Sequence, residues 1–123
     1  MARAQNERLE DLRTAIDRIR RTAAGWDQAA FERADLETLI PISWSFIVIG
    51  EAVKALPKDL LERHRAVDWK GFARFRDVLA HQYFRIDPIL LWKAVSVSLP
   101  PLDAAVTAEL AGTGAAPAEA DEG

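Results

Sequence analysis

Along most of this chain apolar residues recur at three- and four-residue steps, and alternation of period two is hard to find. Leu9, Leu12, Ile16, Ile19 and Ala23 lie on one stripe of a first amphipathic helix, and Gly25 is placed to end it. Trp26 to Ala34 reads as a connector with one helical turn around Phe31. Asp35 can cap a second long helix reaching about Leu56. Pro41 then falls beyond the first turn, so this helix either kinks there or begins nearer Pro41. Ile42 to Val53 is apolar on most sides, as expected of a central helix or part of a subunit interface.

Further along, Pro57 opens a short helix through Arg63, and Asp68 before Trp69 opens one running to about Phe84. Asp87-Pro88 sets a capping side chain before proline at the first helical position and starts a helix to about Ser98. Pro100-Pro101 should break or bend it, with Leu102 to Leu110 as a further segment. From Gly112 onward the chain is Ala, Gly, Pro and acid, the composition of a disordered tail. The expectation is an all-α domain over residues 1–111, a four- to five-helix antiparallel bundle, with a disordered acidic tail over 112–123.

Length and composition narrow the picture. The 123 residues suffice for one domain with a real core. There is no cysteine, which removes disulfides, thiolate zinc sites and cysteine nucleophiles, and fits a reducing, cytoplasmic setting. The N-terminal stretch has no apolar signal core. The longest apolar run, Leu39 to Ile49, is about half of the roughly 20 residues needed to cross a bilayer, so no membrane partner is expected. The net charge of −3 argues against nucleic acid, but its distribution does not. Setting aside Glu109, Glu119, Asp121 and Glu122 toward the C-terminus leaves +1. Arg63, Arg65, Lys70, Arg74, Arg76 and Arg85 face only Asp68 and Asp77 within their segment, a basic patch suited to phosphate.

Most catalytic signatures are missing. No glycine-rich loop follows a strand, and the serines lie in helical stretches. The two histidines, His64 and His81, lack metal-ligand spacing, so neither metal nor cofactor is expected. His64, beside Arg63 and Arg65, reads as a charge complementing a helix C-terminus. The segment Arg76 to Tyr83 is different. At roughly 100° per residue, Asp77 and His81 share one stripe, while Arg76, Ala80 and Tyr83 share its neighbour. Asp77 could orient the His81 imidazole or hold its proton. Arg76 and His81 stand roughly 140° apart, which points to a composite site across a dimer. The residue types suit phosphoryl chemistry: histidine moves a proton, arginine stabilises a phosphorane, and Tyr83, Phe84 and Trp92 can stack on bases. A metal-independent ribonuclease needs no more, since ribose supplies the nucleophile. The plain alternative is a solvated polar helix face.

The pattern Arg76-Asp77-x-x-x-His81-x-Tyr83 resembles the signature of the HEPN superfamily, in its HepT-like branch. Ile49-Gly50-Glu51-Ala52 with Lys54-Ala55-Leu56 resembles the central-helix motif, and Trp69-Lys70, Asp87 and Leu91-Trp92 also match in position. The likeness covers roughly residues 8–110. Pro41 and Ser43-Trp44-Ser45 depart from the expected central helix. The resemblance implies an all-helical homodimer, the RNase toxin of a toxin–antitoxin pair, cutting RNA without metal through Arg76 and His81 in a cleft between protomers. It implies a minimal nucleotidyltransferase antitoxin as partner, transferring AMP to Tyr83. Asp77 would then support His81. Glu51 is either a buried carboxylate supporting the site or a capped polar group in the bundle. The competing reading is a non-catalytic helical module that docks a nucleotidyltransferase and presents substrate or nucleotide to it.

Overall fold

The structure, a computed structural model, describes residues 2–82 and 85–112. Among these, every regular element is a helix: α1 (Ala2–Thr22), α2 (Gln28–Arg33), α3 (Leu36–Lys54), α4 (Lys58–Arg63), α5 (Trp69–His81) and α6 (Pro88–Leu110). Four long helices carry the core, and two short ones close the connections. The expected acidic tail lies, from Thr113 on, outside the described residues.

The apolar stripe of α1 is buried as its spacing demands: Leu9, Leu12, Ile16, Ile19 and Ala23 are all in the core. Gly25 takes the left-handed conformation just past the helix end, with φ of 76°. In α2 the Asp27 carboxylate accepts the Ala30 N–H at 2.9 Å. That turn seats the wholly buried Phe31 edge-on to Trp26, with ring centroids 5.1 Å apart.

The start of α3 is set by Asp35, whose carboxylate accepts the Thr38 N–H at 2.9 Å. The helix therefore begins at Leu36 and continues through Pro41 instead of beginning there. Proline withholds the N–H that the Glu37 carbonyl would accept, but Glu37 is exposed, where water can serve. By length and composition alone α3 and α6 could cross a bilayer. Here α3 is the central helix, packed between α1 and α5.

The contact of α3 with α5 turns on Gly50. A Cβ there would lie 2.2 Å from Cβ of Arg76 and 3.0 Å from the Phe72 carbonyl. Only a residue without a side chain permits that approach. Phe46 and Phe75 meet edge-on in the same interface, centroids 5.3 Å apart. At its start α5 is capped by Asp68, and Trp69 Nε1 donates to the Leu61 and His64 carbonyls, each at 3.1 Å. It ends at His81, short of the expected Phe84, with the Gln82 N–H closing onto the Val78 carbonyl at 3.0 Å.

Asp87 caps α6 as expected, accepting the Ile89 N–H at 2.9 Å. Pro100-Pro101 does not divide this helix. The turn Ala94–Ser98 widens to a π-helix, and the Leu99 N–H reaches back five residues to Ala94. Both proline rings would crowd the carbonyls four residues earlier, and widening the preceding turn relieves this. One helix thus replaces the two expected segments.

Two ion clusters fasten α6 to the rest. Arg13 donates to Asp103 at 2.7 Å and to the Thr107 hydroxyl at 2.8 Å, and Arg20 meets Asp103 at 2.8 Å, joining α1 to α6. Glu109, counted from sequence with the acidic C-terminal charges, is instead a buried residue of α6. Arg63 donates to it at 2.9 and 3.2 Å, and His64 Nε2 lies 2.6 Å away. His64 is thus a partner in a buried cluster beyond any role at a helix end. Burial works to raise the Glu109 pKa, but the hydrogen bonds and charges of Arg63 and His64 outweigh it and hold the carboxyl below its ordinary value. A lowered carboxyl contributes stability above its unfolded-chain pKa, and that contribution fades as pH falls through the folded value. Glu109→Gln should therefore lower the unfolding free energy at neutral pH by about 2 kcal/mol. The gap from wild type should close as the pH is taken down through the carboxylate range. Urea denaturation at a series of pH values checks this; a gap unchanged in acid would assign the loss to packing instead.

Candidate active site

The stem of Arg76 lies over Gly50, so the α3–α5 contact determines where its guanidinium goes. Arg76 Nε forms an ion pair with the Glu51 carboxylate, and Nη1 donates to Asp77 Oδ1 at 3.1 Å. Lys54 Nζ stands 3.5 Å from Asp77 and 3.9 Å from Glu51. Two cations and two carboxylates thus alternate across the faces of α3 and α5. Arg76 Nη2 takes no part in these contacts. The hydrogen bond from Arg76 holds the Asp77 carboxyl below its ordinary pKa; partial burial opposes this, and the Lys54 charge reinforces it.

Glu51 is neither buried nor a capped bundle residue. Its side chain is 51% exposed and braces Arg76 and Lys54 at the site. The expected meeting of Asp77 with His81 does not form, because Arg76 and Lys54 take the carboxylate. Two adjacent cations hold it more strongly than an imidazole one turn away. His81 is the last residue of α5 and exposed; among the described residues no hydrogen bond or ion pair reaches its side chain. Tyr83 lies outside the described residues.

A groove of about 520 Å³ opens beside Arg76. Ile40, Trp44, Ile47, Ala80 and Ile86 supply its apolar lining, Ser43 contributes a hydroxyl, and Glu51 and Arg76 are its charged members. Trp44 is 59% exposed. The Ser43 oxygen is buried and unpartnered among the described residues. Sequence reasoning quoted Gly50 and Lys54 without a role and treated Ser43-Trp44-Ser45 only as a departure. The available signals were a glycine inside an apolar helix and a polar, aromatic interruption of it. Arg65, Lys70, Arg74 and Arg85 form no ion pair among the described residues, so the basic segment retains free charge. Among the described residues no three His, Asp or Glu side chains converge as metal ligands would.

Comparison with known proteins agrees with the sequence signature. Residues 12–109 match the family model described as ribonuclease HepT-like. A Thermococcus cleftensis protein named "Probable ribonuclease HepT" is 35% identical over 104 residues, 83% of this chain and 92% of the relative. Two others named "Putative RNase" match about half of each chain. One, from Methanocaldococcus jannaschii, is 44% identical over 66 residues (54% of each chain). The other, from Caldanaerobacter subterraneus, is 42% identical over 59 residues, 48% of this chain and 53% of its own. No solved structure matches. The family match spans all of α3 and α5 and nearly all of α6, Arg76 and His81 included, and by it this chain belongs to the ribonuclease HepT-like family.

Proposed function

We propose that this protein is a metal-independent endoribonuclease, the toxin of a toxin–antitoxin pair, with Arg76 and His81 as its catalytic residues. The observation that carries the reading is the braced arginine. Arg76 is held by Glu51, Asp77 and the bare surface of Gly50, at the head of the helix turn that ends in the unengaged His81.

In this reading the ribose 2′-hydroxyl attacks the adjacent phosphorus. His81 takes its proton, and Arg76 neutralises charge building on the phosphorane oxygens. The bond to the 5′ oxygen breaks, and that oxygen leaves with a proton from the second His81 of a dimer. The products are a 2′,3′-cyclic phosphate and a 5′-hydroxyl. Asp77 acts through Arg76, positioning its fork of donors, and Glu51 does the same from α3. Leu36 and Val78, exposed apolar side chains on α3 and α5, suit coverage by a second copy.

Silencing by a partner enzyme belongs to the same reading. A minimal nucleotidyltransferase antitoxin would let the Tyr83 oxygen attack the α-phosphorus of ATP, releasing pyrophosphate. The added AMP places a bulky anion two residues from His81 and close in sequence to the basic segment, where it competes with RNA.

Induced expression should arrest growth in wild type and not in Arg76→Ala or His81→Ala. Purified wild type should cut RNA in excess EDTA, with either variant slower by about a hundredfold or more. Equal arrest and equal cleavage by all three would reject the assignment; cleavage that requires a divalent cation would reject the metal-independent mechanism. After co-expression with a cognate minimal nucleotidyltransferase, intact mass should rise by AMP units and the Tyr83→Phe protein should stay unmodified. No mass change with an active partner, or the same change in Tyr83→Phe, would remove Tyr83 from the account.

A further inference from the structure

The groove beside Arg76 combines features that catalysis at Arg76 and His81 does not require. Its lining is apolar, its volume of about 520 Å³ is ample for a nucleoside, and Arg76 is its cation. Trp44 presents an exposed indole within it, on a central helix whose other aromatic, Phe46, is buried. Ser43 is only 4% exposed, yet its oxygen has no partner among the described residues and does not bond back to the preceding turn. A polar atom left unpaired in an apolar lining is unfavourable unless something arrives to satisfy it.

Trp44 also lines a second hollow, of about 190 Å³, with Arg18, Arg21 and Thr22. Among the described residues neither arginine pairs with an acid, unlike Arg13 and Arg20 on the same helix. An exposed indole thus stands between Arg76, already paired with Glu51 and Asp77, in one hollow and the acid-free Arg18 and Arg21 in the other. Stacking surfaces set between phosphate-binding cations are what an unpaired nucleic-acid strand fits.

We propose that Trp44 and Ser43 form the subsite for an unpaired base next to the phosphate held by Arg76, with Arg18 and Arg21 receiving a neighbouring phosphate. The proposal rests on the ribonuclease reading and adds the residues that choose the sequence at the cut. Trp44 stacks on any base. Ser43, through one hydroxyl, distinguishes bases by the edge presented to it. Neither residue moves a proton in the reaction.

The test measures binding of the full-length protein to four 2′-O-methyl homopolymeric oligonucleotides of one length, by fluorescence anisotropy at several salt concentrations. A blocked 2′ oxygen prevents cleavage, so the result stands whether or not natural RNA is cut. Trp44→Leu should weaken binding about tenfold or more for all four. Ser43→Ala should keep the fold and its stability while narrowing the spread between the best and worst base. Arg18→Gln with Arg21→Gln should flatten the salt dependence. Wild-type affinities and base preferences in the Trp44 and Ser43 variants would overturn the subsite, and cleavage of natural RNA would then leave the ribonuclease reading intact. No binding by wild type would overturn the subsite as well. So would conversion of a wild-type dimer to a monomer by Trp44→Leu, which would make the groove a subunit interface.

Discussion

The site depends on one missing side chain. Gly50 brings the backbone of α3 against the stem of Arg76, closer than any Cβ would allow. The pairing of Arg76 with Glu51 follows from that approach, because Glu51 comes from α3, while Asp77 holds Arg76 from the next position on α5. Glycine in a helix interior costs roughly 1 kcal/mol relative to alanine. Keeping it inside the central helix makes sense where the approach itself is what matters.

Around this contact the charges are arranged for holding an arginine in place more than for stability. The carboxylates of Glu51 and Asp77 are both more than half exposed, and surface pairs of this kind contribute little to folding. Their effect is to fix the direction of a flexible side chain that otherwise samples many rotamers, which is how a transition-state clamp keeps its geometry. Stability comes from elsewhere: the apolar core and the clusters at Asp103 and Glu109, which tie α6 to α1 and α4. The division leaves the α3–α5 surface to the proposed substrate site.

Most of the fold was legible because its signals are local. Period 3.6 apolar spacing located α1, and capping aspartates located the starts of α3, α5 and α6 at Asp35, Asp68 and Asp87. What was not legible depends on tertiary context. Two prolines ordinarily end a helix, and whether a π turn absorbs them is decided by packing along α6. Glu109 reads as one acid among several until Arg63 and His64 arrive from α4. In the candidate site, Arg76 and His81 were singled out by spacing and resemblance. The expected Asp77–His81 pair was not formed, because helix periodicity cannot foresee Lys54 reaching over from α3. The part played by Gly50 was hidden for the same reason.

The most direct test of the central claim is Gly50→Ala, measured for both stability and RNA cleavage. Helix propensity alone predicts a gain of roughly 1 kcal/mol. The close approach to Arg76 predicts instead a loss of about 1–3 kcal/mol, from overpacking. It also predicts cleavage lowered tenfold or more in a protein that remains helical, as the guanidinium is displaced. A variant that is more stable than wild type and cuts RNA equally well would contradict the account.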